Sequence, residues 1–311
     1  MAHTVFIDGA AGTTGLEITD RLAGRGEFEL VRLNDAERKD EECRKAALNF
    51  ADFAILCLPD DAAREAVSLI DEGSGTRVID ASSAHRTASG WIYGFPELVG
   101  PSVVAGAARV SNPGCFPTGF LALMAPLVRA RLLPRDWPYT VNAVSGYSGG
   151  GKSLIQRFES DDTDIAYRAY GLSLDHKHLA EMQSKAGLTN APVFAPAVIN
   201  GFRGMVVEVP LAIRAMRNAS APDDLRDELA RYYANAPLVT VHDKDEEVSE
   251  VLLGRNAPPT DRLDLYVFAD AQGETARMIA VLDNLGKGAS GAAVQSLNLM
   301  AGCDPMAGLH L

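Results

Sequence analysis

A strand that runs straight into three glycines at three-residue spacing leaves a chain few ways to continue. Residues 5–18 read VFIDGAAGTTGLEI, an apolar run, then Gly9, Gly12 and Gly15, then a helix-like stretch. Glycines at this spacing allow a tight turn and a close backbone approach, and Thr13 and Thr14 fall at the mouth of the helix, where unpaired N–H groups and the positive dipole end suit a pyrophosphate. The pattern therefore predicts a dinucleotide turn with Gly9, Gly12, Thr13, Thr14 and Gly15 facing the cofactor; a purely structural glycine turn satisfies the same letters. The next ninety residues keep the alternation going: FELVRL, a charged segment, FAILCLP, AAREAVSLIDEG and RVIDAS. Strand and helix in alternation predict an α/β fold with a Rossmann-like, doubly wound parallel sheet. The second strand ends in VRLNDAERKD, where an NAD site favours a carboxylate; Arg32, Arg38 and Lys39 instead suit the 2′-phosphate of NADP, and are equally consistent with a solvated charged turn.

After Cys115 the texture changes. YTVNAV, VFAPAVI, GMVVEVPLAI, LVTVHD, LDLYVFAD and ARMIAVLDN supply strands with fewer helices between them, as in an α+β domain, and GASGAAVQSLNLMAG closes the chain as a helix of small and aliphatic residues. The 311 residues suffice for two domains at about 100–200 residues each. A formal charge of −12 argues against nucleic acid and anionic membrane as partners. The start lacks a basic region followed by an apolar signal core, and no apolar run reaches the length of a membrane span, which predicts a cytoplasmic chain. Four scattered cysteines, Cys43, Cys57, Cys115 and Cys303, form no C-x-x-C pair, so neither a metal site nor a disulfide framework is expected.

Cys115 lies in SNPGCFPTG. Flanked by Pro113, Gly114 and Pro117, it belongs on a constrained turn, and TGFLALMAPLVRA behind it has helical periodicity. A cysteine at a helix N-terminus has its thiol pKa lowered and becomes a nucleophile, whereas a buried structural cysteine is inert. DHKHLAEM offers two candidate acid-base groups, His176 and His178, with Glu181 on the same helical face as His178, placed to orient an imidazole. A competing motif is GYSGGGKS, residues 146–153, which satisfies the Walker pattern with Lys152 and Ser153 at its end and so proposes a P-loop hydrolase or kinase. It comes in mid-chain, after the domain change, in a protein that already has a nucleotide turn, which favours coincidence.

SNPGCFPTG resembles the active-site signature of N-acetyl-gamma-glutamyl-phosphate reductases, DHKHLAEM resembles that family's H-[RK]-H-x-x-E motif, and DNLGKGASGAAVQSLNLMAG resembles its C-terminal segment. The likeness runs nearly end to end through IDASSAHR and YGFPEL, and the length resembles the short class. Leu123 departs from the signature's usual small residue, a matter of helix packing rather than chemistry.

The resemblance implies an NADP-binding domain, residues 1–115 completed by 285–311, and an inserted α+β catalytic and dimerisation domain, residues 116–284, in a homodimer or homotetramer. It implies NADPH-dependent reduction of a small acyl phosphate, N-acetyl-L-glutamyl 5-phosphate, through a thioester on Cys115. Ser145, Gly146 and Gly149 would approach the nicotinamide in a loop like the family's S-G-x-S-G, with Asn284 at the same end of the cofactor and Arg38 at the other. Arg86 would clamp the phosphate and Arg203 the substrate carboxylate, Asn112 would hold the catalytic turn, and Glu181 would border the substrate. Aspartate-semialdehyde dehydrogenase shares this chemistry but carries its histidine in a different sequence setting. A lysine-pathway reductase of a carrier-bound acyl phosphate needs a basic docking face that this acidic chain does not offer. A non-catalytic NADP sensor has no use for Cys115.

Overall fold

In the computed structural model, which describes residues 2–244 and 248–311, the chain divides into two units. The first comprises Met1–Gly114 and Ala289–Leu309, the second Cys115–Gly288 and His310–Leu311.

The first unit runs β1 (His3–Asp8), α1 (Thr13–Leu22), β2 (Phe28–Val31), α2 (Glu41–Phe50), β3 (Phe53–Leu56), α3 (Asp60–Ser68), β4 (Arg77–Asp80), β5 (Ile92–Tyr93), α4 (Pro96–Val99), α5 (Pro101–Ala105) and β6 (Arg109–Ser111). The strands form one parallel sheet in the order β2-β1-β3-β4-β6-β5. Because side chains alternate across a strand, Val5, Ile7, Phe53, Ile55 and Ile79 pack on one face with α1 and the C-terminal helix Gly291–Ala301, while Phe6, Ala54, Leu56 and Val78 pack on the other with α2 and α3. This is the doubly wound, Rossmann-like arrangement. Strand order reverses on either side of β1, so β1 and β3 end at the switch point where ligands bind in such sheets. The charged segment after β2 contains a helix, α2, capped by the Asp40 carboxylate accepting from the Cys43 N–H. Only Ala47 and Leu48 of α2 are buried, so its sequence carries little apolar periodicity.

The second unit contains α6 (Cys115–Arg129), β7 (Thr140–Gly146), α7 (Gly151–Glu159), β8 (Tyr167–Ala169), α8 (Leu179–Ala186), β9 (Val193–Ile199), β10 (Met205–Leu211), α9 (Pro222–Tyr232), β11 (Val239–Val241), β12 (Leu263–Ala269) and β13 (Ala276–Leu282). Seven strands form a mixed sheet, β11-β12-β13-β10-β7-β9-β8. Leu263, Leu265 and Val267 of β12, Met205, Val207 and Val209 of β10, and Val141 and Ala143 of β7 are buried on one face, against which α6 and α9 pack. Gly119 permits the approach of α6, since a Cβ there would lie 2.8 Å from Val207 Cγ2. Leu123, the signature departure, is fully buried on this helix. The opposite face carries Tyr266, Phe268, Val281, Val206 and Val144, all only half-buried. Among the described residues, no helix is long and apolar enough to cross a membrane.

Candidate active site

In the first unit, Gly9 has φ +89°, and a Cβ there would lie 2.3 Å from the Cys57 carbonyl oxygen at the end of β3. Any side chain at Gly9 would therefore break the β1–β3 pairing as well as strain the turn. Gly15 is equally constrained, with its Cβ position 2.5 Å from the Gly9 carbonyl oxygen. Gly12 caps α1 without a side-chain hydrogen bond, and no acid occupies the first turn beside Thr13 and Thr14. The N–H groups of that turn therefore have no carboxylate of their own helix's first turn to neutralise them, which suits an anion.

Beside the turn lies a cavity of about 480 Å³. Gly9, Ala10 and Leu58 line it together with three arginines, Arg32, Arg38 and Arg44. Arg38 is exposed, with its guanidinium 3.2 Å from the still more exposed Asp35. The donor chemistry fits a phosphorylated dinucleotide: glycine backbone for the pyrophosphate and guanidinium groups for a further phosphate.

Arg86 is 7 % exposed, Nε donating to the Asn112 carbonyl at 3.0 Å and Nη2 to the Ala81 carbonyl at 3.3 Å. Its loop is organised by the buried Asp80, whose carboxylate accepts from the Ser82 N–H and hydroxyl and lies 2.6 Å from His85 Nδ1. The His85 ring stacks on Trp91 at 4.1 Å. Asn112 is buried, with Nδ2 donating to the Ala289 carbonyl.

In the second unit, Cys115 is the first residue of α6 and half-buried. Gly288 packs directly against it: a Cβ on Gly288 would meet Cys115 Cβ at 2.9 Å. The next residue, Phe116, gathers both candidate imidazoles, with ring centroids 6.4 Å from His176 and 6.0 Å from His178. The two histidines differ in what their atoms can do. His176 Nδ1 accepts a hydrogen bond from the His178 backbone N–H at 3.2 Å, so the neutral ring carries its proton on Nε2 and has no nitrogen left to accept another. His178 is 5 % exposed and caps α8; Glu181 lies buried in that helix's first turn. Burial lowers the Lys185 pKa, with Glu181, one turn earlier, opposing the shift.

Tyr170 belongs to this cluster and was not singled out from the sequence. Its ring meets His176 edge-on at 5.7 Å, and the Arg168 guanidinium covers its face at 4.8 Å. Burial, and after it the charge of the neighbouring Cys115, push the phenol pKa up. Its position six residues ahead of His176 carried no signal, because the intervening residues 171–175 form turns and irregular backbone rather than a helix or strand with a repeating face.

The 146–153 loop has the strand-glycine-helix outline of a phosphate cradle, but its first three donors are in use. The N–H groups of Gly146, Tyr147 and Ser148 donate to the carbonyls of Gly204, Gly201 and Phe202. A Walker loop needs such N–H groups turned to phosphate. Asn284 braces the same region, its Oδ1 accepting from the Gly204 N–H and its Nδ2 donating to Ser148 Oγ at 3.0 Å. Ser145 is buried, its hydroxyl donating to the Gly146 carbonyl, and the Gly149 Cβ position lies 3.3 Å from Asn284 Nδ2. Arg203 pairs with Asp283 at 2.8 Å. Lys152 is exposed on α7. Lys152→Ala is expected to leave NADPH affinity unchanged and to bind MgATP no differently from the parent, for which calorimetry is itself expected to find no saturable binding. Saturable MgATP binding lost in the variant would restore the P-loop reading.

The family described as "Semialdehyde dehydrogenase, NAD binding domain" matches residues 4–106, and that described as "Semialdehyde dehydrogenase, dimerisation domain" matches residues 115–284. The chain is 47% identical to an N-acetyl-gamma-glutamyl-phosphate reductase of Trichormus variabilis and 50% identical to one of Burkholderia lata, in each case over 98% of both chains. It is 45% identical to the corresponding protein of Sinorhizobium medicae, over 96% of this chain and 99% of the relative. Among solved structures, aspartate semialdehyde dehydrogenase II complexed with ASA from Vibrio cholerae superposes with a TM-score of 0.68 at 18% identity, covering 96% of this chain and 98% of that one. The aspartate semialdehyde dehydrogenase of Francisella tularensis gives 0.71 at 13% identity, covering 96% and 100%. Identities this low speak to the fold alone; with the near-complete coverage of the closer relatives, they leave one assignment: the chain belongs to the N-acetyl-gamma-glutamyl-phosphate reductase family of the semialdehyde dehydrogenase superfamily.

Proposed function

We propose that the protein reduces N-acetyl-L-glutamyl 5-phosphate to N-acetyl-L-glutamate 5-semialdehyde with NADPH, releasing phosphate, in arginine biosynthesis. Beyond family membership, the observation that carries this is the placing of Cys115 at the first position of α6, with His176 and His178 gathered around its neighbour Phe116 and Tyr170 packed against His176. An α-helix N-terminus stabilises the thiolate. His178 takes the proton from Sγ, and the sulfur attacks the acyl carbon. The carbon–oxygen bond to phosphate breaks, phosphate leaves carrying the proton from His178, and a thioester remains on Cys115. NADPH, when bound, supplies the hydride that reduces this thioester carbon. The resulting oxyanion collapses, the carbon–sulfur bond breaks, the aldehyde leaves, and Sγ departs as the thiolate. Splitting one reduction into a covalent step and a hydride step lowers the barrier to each.

Gly9, Gly12, Thr13, Thr14 and Gly15 hold the pyrophosphate in this reading and Arg38 the 2′-phosphate. Arg86, fixed by two carbonyls and bearing a planar fork of donors, takes the substrate phosphate. His176 acts as an Nε2–H donor, Glu181 orients the α8 terminus at the substrate's edge, and Asn112 holds the Arg86 loop. Ser145, Gly146, Gly149 and Asn284 shape the nicotinamide end. Arg203, already paired with Asp283, contributes its remaining donors to the substrate carboxylate. The half-buried face of the seven-stranded sheet takes a second copy of the chain, giving a homodimer or, by pairing of dimers, a homotetramer; light scattering tests this. A cytoplasmic location supports this reading, since that compartment supplies both NADPH and phosphorylated metabolites. The deciding assay follows phosphate-dependent reduction of NADP by N-acetylglutamate 5-semialdehyde beside aspartate 4-semialdehyde. Turnover of the first at least a hundredfold above the second is expected, and the reverse order would assign the chain to aspartate-semialdehyde chemistry.

A further inference from the structure

At the switch point of the parallel sheet, β1 ends in a carboxylate, Asp8, immediately before Gly9. It lines the cavity beside the glycine turn and is only 5 % exposed. An unpaired carboxylate there would oppose every phosphate the cavity has to accept, since charges in a partly desolvated site interact far more strongly than in water. In this chain Arg44 of α2 answers it. Nε and Nη2 of Arg44 both donate to Asp8 Oδ2, at 3.2 and 3.0 Å, and Nη1 donates to Glu65 Oε1 at 3.2 Å. The Arg44 side chain is 14% exposed, and its guanidinium forms part of the cavity wall. With Asp8 neutralised, Arg32 and Arg38 are left to set the sign of the cavity, and both are exposed.

We infer that Arg44 is a specificity-determining residue for the cofactor: by pairing with Asp8 it removes the carboxylate from the adenosine cavity's field and so makes NADPH, rather than NADH, the preferred ligand. The inference rests on the reading that this cavity holds the adenosine end of the dinucleotide. Arg44 acts through Asp8, so it is a positioning residue, and the consequence differs between cofactors. NADPH carries an additional 2′-phosphate into the cavity, and NADH does not. Uncovering Asp8 therefore penalises NADPH selectively, whereas damage to folding or to the glycine turn penalises both.

The test measures dissociation constants for NADPH and NADH by fluorescence titration on the full chain. Arg44→Met is expected to weaken NADPH at least tenfold and NADH less than threefold. The double variant Arg44→Met with Asp8→Asn is expected to recover most of the NADPH affinity, because the charge that Arg44 masked is then gone. Asp8→Asn alone keeps NADPH binding within twofold of the parent or tightens it, and it decides the matter should Arg44→Met fail to fold. Equal losses for both cofactors, a double variant no better than Arg44→Met, or a tenfold loss of NADPH in Asp8→Asn would each overturn the inference. A parent protein that binds NADH as tightly as NADPH would instead overturn the cofactor reading beneath it.

Discussion

Cys115→Ser is expected to bind NADPH with unchanged affinity and to turn over N-acetylglutamyl phosphate at least roughly a thousandfold more slowly, equivalent to ~4 kcal/mol of barrier. The hydroxyl is close in size to the thiol and keeps the first position of α6, but it offers no ionised nucleophile near neutral pH. The cofactor turn belongs to the other unit, at Gly9–Gly15, which is why binding should survive. Chemical labelling gives an independent reading. Burial, with Asp80 and Asp8 adding to it, pushes the Cys57 thiol up to about 12. Burial raises Cys303, and the hydrogen bond with Asp40 raises Cys43. Thiols raised in this way stay protonated at neutral pH and react slowly, so limited iodoacetamide should label Cys115 first, with activity falling in step. A serine variant that retained a tenth of the parent rate would sink the thioester mechanism.

The second large effect separates the two histidines. His178→Asn should lower kcat by about 10²–10⁴, the usual worth of a positioned acid-base group, and flatten the pH dependence of kcat/KM on its acidic limb. His176→Asn should cost much less. The asymmetry follows from the hydrogen bond between the His178 N–H and His176 Nδ1, which holds His176 as an Nε2–H donor. An asparagine at position 176 can accept the same bond through its side-chain oxygen, so the backbone turn ahead of α8 is preserved. A larger loss for the 176 variant would transfer the proton-handling role to that ring.

The sequence left the choice between these residues open because it depends on whether the helix includes both. Had α8 begun at His176, the two rings, two residues apart, would have pointed to different sides of it. Instead α8 starts at Leu179 and His176 lies outside, on an irregular turn where its ring can accept from a neighbouring backbone N–H. The helix after β2 went unread for a related reason: with two buried residues, α2 owes its place to packing on the sheet rather than to a strong apolar stripe.

What the sequence determined by itself was local in origin. Gly9, Gly12 and Gly15 act over a few residues, through a positive φ and close backbone approach, so the strand-turn-helix and the parallel sheet behind it could be read directly. Pro113 and Pro117 likewise confined Cys115 to the start of α6. Only the tertiary structure decided whether donors and charges were available, because their partners come from distant segments. GYSGGGKS has the letters of a phosphate loop, yet the N–H groups of its first three residues bond to carbonyls at 201–204, more than fifty residues on. Arg44 looks like one more charge on a solvated helix until α2 folds back and lays it on Asp8, 36 residues earlier. A motif records which groups a chain carries, but a hydrogen bond or an ion pair has two ends, and folding alone brings the second one into reach.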